Sequence, residues 1–331
     1  MATILGHFEP ILRKVPGVVV AALAEDRLDV TALGTLDSEG DPASLCWEIG
    51  SITKVFTGLL LAEMSIRGEV GLDEPIGRHL PDSVARRLPI LDLQPTLTHL
   101  ATHTAGLPRL PLAIYLRARG SDDPYAKLNE DDVFACLGPK TKLPRRPRMR
   151  YSNFGMGLLG HLLARVAGRP YGALIRERVL APLGMTSTAA GDCGDGMAMV
   201  QGFRRGRPTP PWSFGALEGA GALRSTVTDL ATFARACIQP PDGTIGEALR
   251  LAQQPFHVGR LPFAQMGLGW MLRDANDDPT LWHDGGTYGS SSFLAINVRR
   301  SIAVISLGNA GPRMTPPLDR PSWALLDSLK G

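Results

Sequence analysis

A chain of 331 residues and 35.5 kDa has room for two units, or for one large unit with an insertion, and can bury a core without disulfide help. With 44% hydrophobic and 20% charged residues, the composition excludes a mostly disordered chain, a collagen-like chain and a long coiled coil. A net charge of +3 and a pI near 8.7 fall well short of a dedicated nucleic-acid binder, and no apolar run nears the roughly 18–20 residues of a membrane helix.

In chain order, residues 3–14 carry a short helical pattern. Residues 18–23, then Glu25-Asp26-Arg27, then residues 28–33 read as a hairpin, with strands near 17–24 and 27–35 and a third near 43–48. Arg13 and Lys14 ahead of an apolar stretch have the order of a secretory leader. Pro16-Gly17 interrupts that stretch, however, and the apolar run is only seven residues, so the strand reading is preferred and the cytoplasm is the expected compartment. Residues 51–67 form the clearest helix. Ile52, Val55, Phe56, Leu59, Leu60 and Met64 recur at helical spacing, with Ser51 at the start and Gly68 just past the end as caps.

From about 70 to 215 prolines are frequent and strand signals few. Short helical patterns occur at 95–102, 131–137, 155–167 and 171–180. Beyond lie a helix at 226–238 with Ser225 as its cap, strands at 267–273, 291–298 and 302–307, the last two joined through Arg299-Arg300-Ser301, and a terminal helix at 322–329. The expected fold class is α/β: an antiparallel sheet flanked by helices, built from residues 1–70 and 216–331, with a mostly helical subdomain of residues 71–215 between them.

Several chemistries lack their motifs. There is no G-x-S-x-G elbow, no Walker A sequence and no strand-led G-x-G-x-x-G. His99 and His103 stand four apart, but the glutamate of H-E-x-x-H is missing, so neither metal nor cofactor is expected. Cys46, Cys136, Cys193 and Cys237 form no C-x-x-C pair and are expected to be free thiols.

Three short motifs can carry chemistry. In Ser51-Ile52-Thr53-Lys54, three residues on a helix is close to one turn, so hydroxyl and ammonium share a face. Lysine is scarce here, 6 against 29 arginines, and a desolvated lysine loses its proton readily and can accept that of a serine. Alone, S-x-x-K arises by chance in roughly one such chain in three. Tyr151-Ser152-Asn153 offers a phenol for proton transfer and an amide to hold a substrate carbonyl. His283-Asp284-Gly285, followed by Gly286, combines an imidazole with glycines that let a strand edge approach a ligand and offer a backbone N–H to an oxyanion.

In the order S-x-x-K, Y-x-N, H-x-G these motifs resemble the serine β-lactamase and penicillin-recognising enzyme superfamily, in its class C-like and esterase branch. Trp47-Glu48-Ile49-Gly50, the stretch from Leu97 through Pro108, Leu180-Ala181-Pro182-Leu183-Gly184-Met185 and the stretch from Ala220 through Thr226 are similar to family segments as well, so the likeness runs from about residue 15 to 310. The resemblance implies that Ser51 is the acylated nucleophile, that Lys54 and Tyr151 share the acid–base work, and that Asn153 orients the substrate carbonyl. It also implies an oxyanion site from the backbone N–H groups of Ser51 and Gly286, with His283 in place of the usual lysine and Asp284 in place of a hydroxyl residue.

An Asp284 carboxylate facing the substrate would repel anions. The expected substrates are therefore neutral esters, amides or related acyl groups, passed from a small-molecule donor to water, an amine or an alcohol. A β-lactamase or D,D-peptidase is the alternative, and a non-catalytic binding or sensor protein of the same fold is a second. Residues 140–150 hold six basic residues, Lys140, Lys142, Arg145, Arg146, Arg148 and Arg150, which could steer an anionic carrier toward Tyr151.

Overall fold

The computed structural model describes residues 2–24, 27–36, 40–193, 197–258, 265–273, 278–311 and 316–330. The strands in chain order are β1 (Gly17–Ala24), β2 (Arg27–Gly34), β3 (Trp47–Glu48), β4 (Ala189–Ala190), β5 (Gly202–Arg204), β6 (Arg207–Thr209), β7 (Leu223–Ser225), β8 (His257–Val258), β9 (Gln265–Met266), β10 (Met271–Arg273), β11 (Thr280–Gly286), β12 (Ser291–Asn297) and β13 (Ile302–Gly308). The α-helices are α1 (Ala2–Phe8), α2 (Thr53–Ile66), α3 (Asp82–Ala85), α4 (Leu97–Ala101), α5 (Leu112–Ala118), α6 (Glu130–Ala135), α7 (Asn153–Ala167), α8 (Tyr171–Ile175), α9 (Val227–Ile238), α10 (Thr244–Ala252) and α11 (Asp319–Leu329).

Eight strands form one antiparallel sheet in the order β2-β1-β13-β12-β11-β10-β9-β8, so both ends of the chain meet in its centre, as expected. The strand reading of residues 17–24 holds: β1 pairs with β13 on one side and β2 on the other, while the turn residues Glu25 and Asp26 lie outside the described residues. The short strands β3, β7 and β4 make a second sheet that ties the segment ahead of α2 to the chain beyond α8.

Successive residues in a strand face opposite sides, and this alternation divides the core. Val19, Ala21, Leu23, Leu294, Ile296, Ala303, Ile305 and Leu307 face α9 and the large core that continues through α2 into the helical region. Val18, Val20, Ala22, Phe293, Ala295, Ile302 and Val304 face α1 and α11. Helix α2 is apolar on every side and buried from Thr53 to Met64, as a helix running through the middle of a core must be. Lys54 is carried into that interior.

Local details depart from the sequence reading. Ser51 is not a helix cap: it lies in a 3₁₀ turn, Gly50–Ile52, ahead of α2, and its oxygen is engaged by Lys54 instead of a backbone N–H. Ser225 closes β7, and Thr226 caps α9, accepting from Asp229 N at 3.1 Å. Gly68 does end α2, with φ +73°. Of the strand expected at 43–48 only Trp47 and Glu48 pair as β3, since residues 42–44 form a 3₁₀ turn. Helices α5 and α10 are additional to the elements read from the sequence, although Ile245, Ala248, Leu249 and Ala252 recur at helical spacing in α10.

The free-thiol expectation is overturned for two cysteines. Cys46 and Cys193, 147 residues apart, form a disulfide with a Cα–Cα distance of 6.3 Å. A bridge between Cys46 and Met199 draws the two segments together, a contact that cysteine spacing cannot reveal. Cys136 and Cys237 are free. Such bonds persist where the medium is oxidising and are rare in a reducing cytosol, which weighs against the cytoplasmic expectation. Among the described residues no helix is long and apolar enough to cross a membrane.

At the start of α11, Asp319 has one carboxylate oxygen buried without a partner. Burial, with the Asp284 charge nearby, pushes its pKa up to about 8. An aspartate near its ordinary value when unfolded and near 8 when folded makes the folded protein bind the extra proton, so stability falls as pH rises through this window. Asp319→Asn removes that loss. Its melting temperature should exceed that of the unsubstituted protein by a few °C at pH 8.5, on the order expected for about 1 kcal/mol, and by clearly less at pH 5.5. An equal gain at both pH values in thermal melts would contradict the assignment.

Candidate active site

Two close approaches fix the place where α2 begins. Gly50 has φ +48°, a left-handed conformation that glycine adopts without strain, and a Cβ there would fall 2.6 Å from the backbone N of Gly286. A Cβ on Gly285 would fall 2.9 Å from the backbone N of Ser51. Only paired glycines let the end of β11 lie against the Ser51 turn, which brings the first and third motifs together. Glu48 fastens the contact: it is buried, its carboxylate accepts from Trp212 N at 2.7 Å and Thr287 Oγ1 at 2.8 Å, and its carbonyl accepts from Ser290 Oγ at 2.8 Å. Burial raises the Glu48 pKa against those donors.

Lys54 is fully buried. Its Nζ lies 2.8 Å from Ser51 Oγ and donates to Ala220 O at 2.6 Å. Desolvation, with the Arg109 charge adding to it, holds its pKa well below the ordinary lysine value. The carbonyl can only accept, so a neutral amine gives a proton to Ala220 and keeps its lone pair for the Ser51 hydroxyl.

The middle motif is placed by residues the sequence reading left without a role. His103 has φ +57°, its carbonyl accepts from Arg150 N at 2.8 Å, and its Nδ1 accepts from Ser152 N at 3.2 Å. Its ring lies 4.5 Å from that of Tyr151. Ser152 caps α7 by accepting from Gly155 N at 2.8 Å and donates to Pro108 O at 2.7 Å. Tyr151 is thereby held with its hydroxyl hydrogen-bonded to Ser51, and Lys54 Nζ lies 5.0 Å from its ring centroid. Burial pushes the Tyr151 phenol far above the usual tyrosine value. Asn153 donates from Nδ2 to the Tyr125 hydroxyl at 2.9 Å, leaving Oδ1 buried and unpartnered. In this rotamer it presents an acceptor, suited to a substrate N–H, where the sequence reading had it hold a carbonyl.

In the third motif, His283 is fully buried below Tyr151, with ring centroids 6.0 Å apart. Its Nδ1 is hydrogen-bonded with the Asp284 carbonyl. Desolvation and the Lys54 charge lower its pKa to about 3, so it is a neutral imidazole and supplies no cation. Asp284 does not occupy the expected place. In register it pairs with Phe293, which pairs with Ser306, and Ser306 is hydrogen-bonded to Ser322 of α11 at 2.6 Å. The Asp284 side chain therefore lies on the α11 face, as its effect on Asp319 also shows, although its charge is still felt at Lys54 and Tyr151.

Ser51, Asn153 and Gly286 line a cavity of about 410 Å³. Tyr115, Tyr125, Trp212, Phe214 and Tyr288 form its walls, with Arg109 and Arg119 at the helical side. All six basic residues in residues 140–150 are exposed, and none lines the cavity. His99, considered beside His103 as a metal pair, turns its Nδ1 back to Thr96 at the start of α4, and among the described residues no group of three or more His, Cys, Asp and Glu could hold a metal.

Comparison with known proteins bears on the family and the fold. The family model described as Beta-lactamase matches residues 6–327. A beta-lactamase of Escherichia coli (strain K12) is 28% identical over 94% of this chain and 77% of its own length. Penicillin-binding protein 4 of Amycolatopsis lactamdurans is 25% identical over 90% of this chain and 81% of its own. Among solved structures, a class C beta lactamase from Rhodobacter sphaeroides superposes with a TM-score of 0.85 at 22% identity, covering 100% of both chains, a likeness of fold.

The two opposite shifts at Ser51 have a pH signature. Lys54 must be unprotonated to accept a proton, and its lowered pKa places that condition below the ordinary lysine range. Tyr151 keeps its proton beyond the ordinary tyrosine range. Turnover of an activated ester should rise on an acid limb that lies below the ordinary lysine range and show no alkaline fall through the ordinary tyrosine range. A kcat/KM profile that climbs only near pH 10 would show that Lys54 titrates as an ordinary lysine.

Proposed function

Because the chain belongs to the β-lactamase family of serine hydrolases, we propose that it turns over an ester, amide or related acyl substrate through an acyl-enzyme on Ser51. The observation that carries this reading is the pair of hydrogen bonds made by the buried Lys54, to Ser51 Oγ and to Ala220 O. As Ser51 Oγ attacks the carbonyl carbon, its proton passes to the Lys54 lone pair. Charge on the carbonyl oxygen is received by the N–H groups of Ser51 and Gly286. Tyr151 gives its hydroxyl proton to the leaving atom and regains one from Lys54. Water, an amine or an alcohol then takes the acyl group by the reverse sequence. In this scheme Lys54 is the base and Tyr151 the proton donor, since the same burial that frees the amine locks the phenol in its protonated form.

With Asp284 on the α11 face, its carboxylate does not meet a substrate carboxylate directly, and a β-lactamase or D,D-peptidase activity, suggested by the names of the relatives, stands beside esterase or acyl-transfer activity. Turnover of nitrocefin against p-nitrophenyl esters separates them. A non-catalytic sensor is disfavoured by the mutual placement of Ser51, Lys54 and Tyr151. The exposed basic residues of residues 140–150 remain available to attract an anionic carrier. If they do, kcat/KM for donors on a phosphate-bearing arm should fall with salt more steeply than for small neutral esters of similar reactivity, and neutralising Arg145, Arg146 and Arg148 together should remove the difference.

Ser51→Ala should abolish both turnover and the acyl adduct seen by intact-mass measurement while leaving the melting temperature close to that of the unsubstituted protein. Lys54→Ala and Tyr151→Phe should each lower kcat by about a hundredfold or more, and together by far less than the product. Retained turnover in Ser51→Ala would refute the acyl-enzyme.

A further inference from the structure

The charges around the cavity do not balance. Its lining includes two arginines, Arg109 and Arg119, and no acidic residue. Other arginines close by are matched: Arg204 pairs with Asp122 at 2.9 Å and lies over Tyr288, and Arg224 pairs with Asp192 at 2.8 Å. Among the described residues neither Arg109 nor Arg119 has a carboxylate within ion-pair distance. The contact shown for the Arg109 guanidinium is with the face of Tyr151, its Cζ 5.5 Å from the ring centroid. Stacking of this kind orients a guanidinium and leaves its in-plane N–H groups free, in the fork that fits a carboxylate.

The root of that side chain is built into the site. Arg109 O accepts from Phe154 N at 3.0 Å, and the preceding Pro108 O accepts from Ser152 Oγ at 2.7 Å, so the backbone at 108–109 is fastened to the first turn of α7 beside Tyr151 and Asn153. The other basic groups near Ser51 cannot take this role. Lys54 is held by Ser51 and Ala220, and His283 and His103 are buried and driven toward their neutral forms.

We infer that Arg109, in the cavity that Arg119 also lines, is a substrate-carboxylate receptor, so that the acyl donor carries a carboxylate on the part lying against the helical side of the cavity. This rests on the Ser51 acyl-enzyme for its chemistry but not for its binding. The recognition point lies on the segment between α4 and α5, across the cleft from β11, where the third motif offers no cation. The aromatic walls leave room for an apolar spacer between the reacting carbonyl and the carboxylate.

A matched pair of donors tests it: mono-p-nitrophenyl glutarate, which bears a free carboxylate, against p-nitrophenyl pentanoate, which does not. The unsubstituted protein should favour the glutarate in kcat/KM. Arg109→Gln should lower the glutarate-to-pentanoate ratio about tenfold or more, Arg109→Lys should restore part of it, and Arg109→Glu should invert it. Binding is measured separately in the Ser51→Ala background by calorimetry with glutaric acid monoamide. Affinity should fall about tenfold or more when Arg109→Gln is added. A ratio and an affinity that both ignore Arg109 overturn the inference, even if Ser51 is acylated by both donors. Monoamide binding that requires Arg109, in a protein acylated by neither donor, upholds the carboxylate site and fails the acyl-enzyme reading instead.

Discussion

The burial of one amine organises this molecule. Helix α2 is apolar on all sides because it runs through the middle of the core, and Lys54 sits in its first turn with no exposure. An ammonium there would meet a large desolvation cost with no carboxylate in contact to offset it. The neutral amine is the form this interior tolerates, and it is also the form that can accept a proton. Around it, His103 and His283 are driven neutral by the same desolvation, and the Tyr151 phenol is kept protonated. Ser51 therefore lies beside groups whose charged forms burial disfavours, where a charge that appears is felt strongly.

That interior has to be brought against a sheet edge, and the structure does so through backbone more than side chains. The glycines at 50 and 285 allow the closest contact, and Glu48 holds it by joining the strand before Ser51 to Thr287 and to Trp212. One carboxylate thus links three segments far apart in sequence, all of which border the cavity. The arrangement also explains why Ser51 does not cap α2, whose N-terminus has no side-chain cap: a hydroxyl spent on an N–H of α2 could not face Lys54.

Much of this was legible in the sequence. The α2 pattern, the three motifs and their order led to the sheet, the helical region and the pairing of Ser51 with Lys54. What could not be read was set by contacts between distant segments. Nothing local marks Glu48, His103 or Arg109 as part of a site, and nothing in the spacing of four cysteines couples Cys46 with Cys193. Asp284 is a different case. His283 and Asp284 are adjacent in a strand, so both cannot face the cleft, and that two-residue alternation is legible from their adjacency alone. Motif similarity overrode it by treating the triplet as a unit.

The disulfide closes a covalent ring from residue 46 to residue 193. Ser51, Lys54, Tyr151 and Asn153 all lie inside that ring, and residues 283–286 lie outside it. In the chain-entropy picture, closing a loop of this length restricts the denatured chain by on the order of 5 kcal/mol. The restriction falls unevenly on the site. Between Ser51 and Tyr151 the bond cuts the covalent path to less than half of the intervening chain, 5 residues back to Cys46 and 42 from Cys193, so these two motifs separate less far than the chain alone would allow when the helical region loosens. Across this boundary β11 and its neighbour β12 are held to the Ser51 turn without a covalent link, by the glycine contact, the Glu48 clamp and the Ser292 hydroxyl, which donates to Ile49 O at 2.8 Å. The seam between the covalent ring and β11 is thus a boundary that the disulfide does not span.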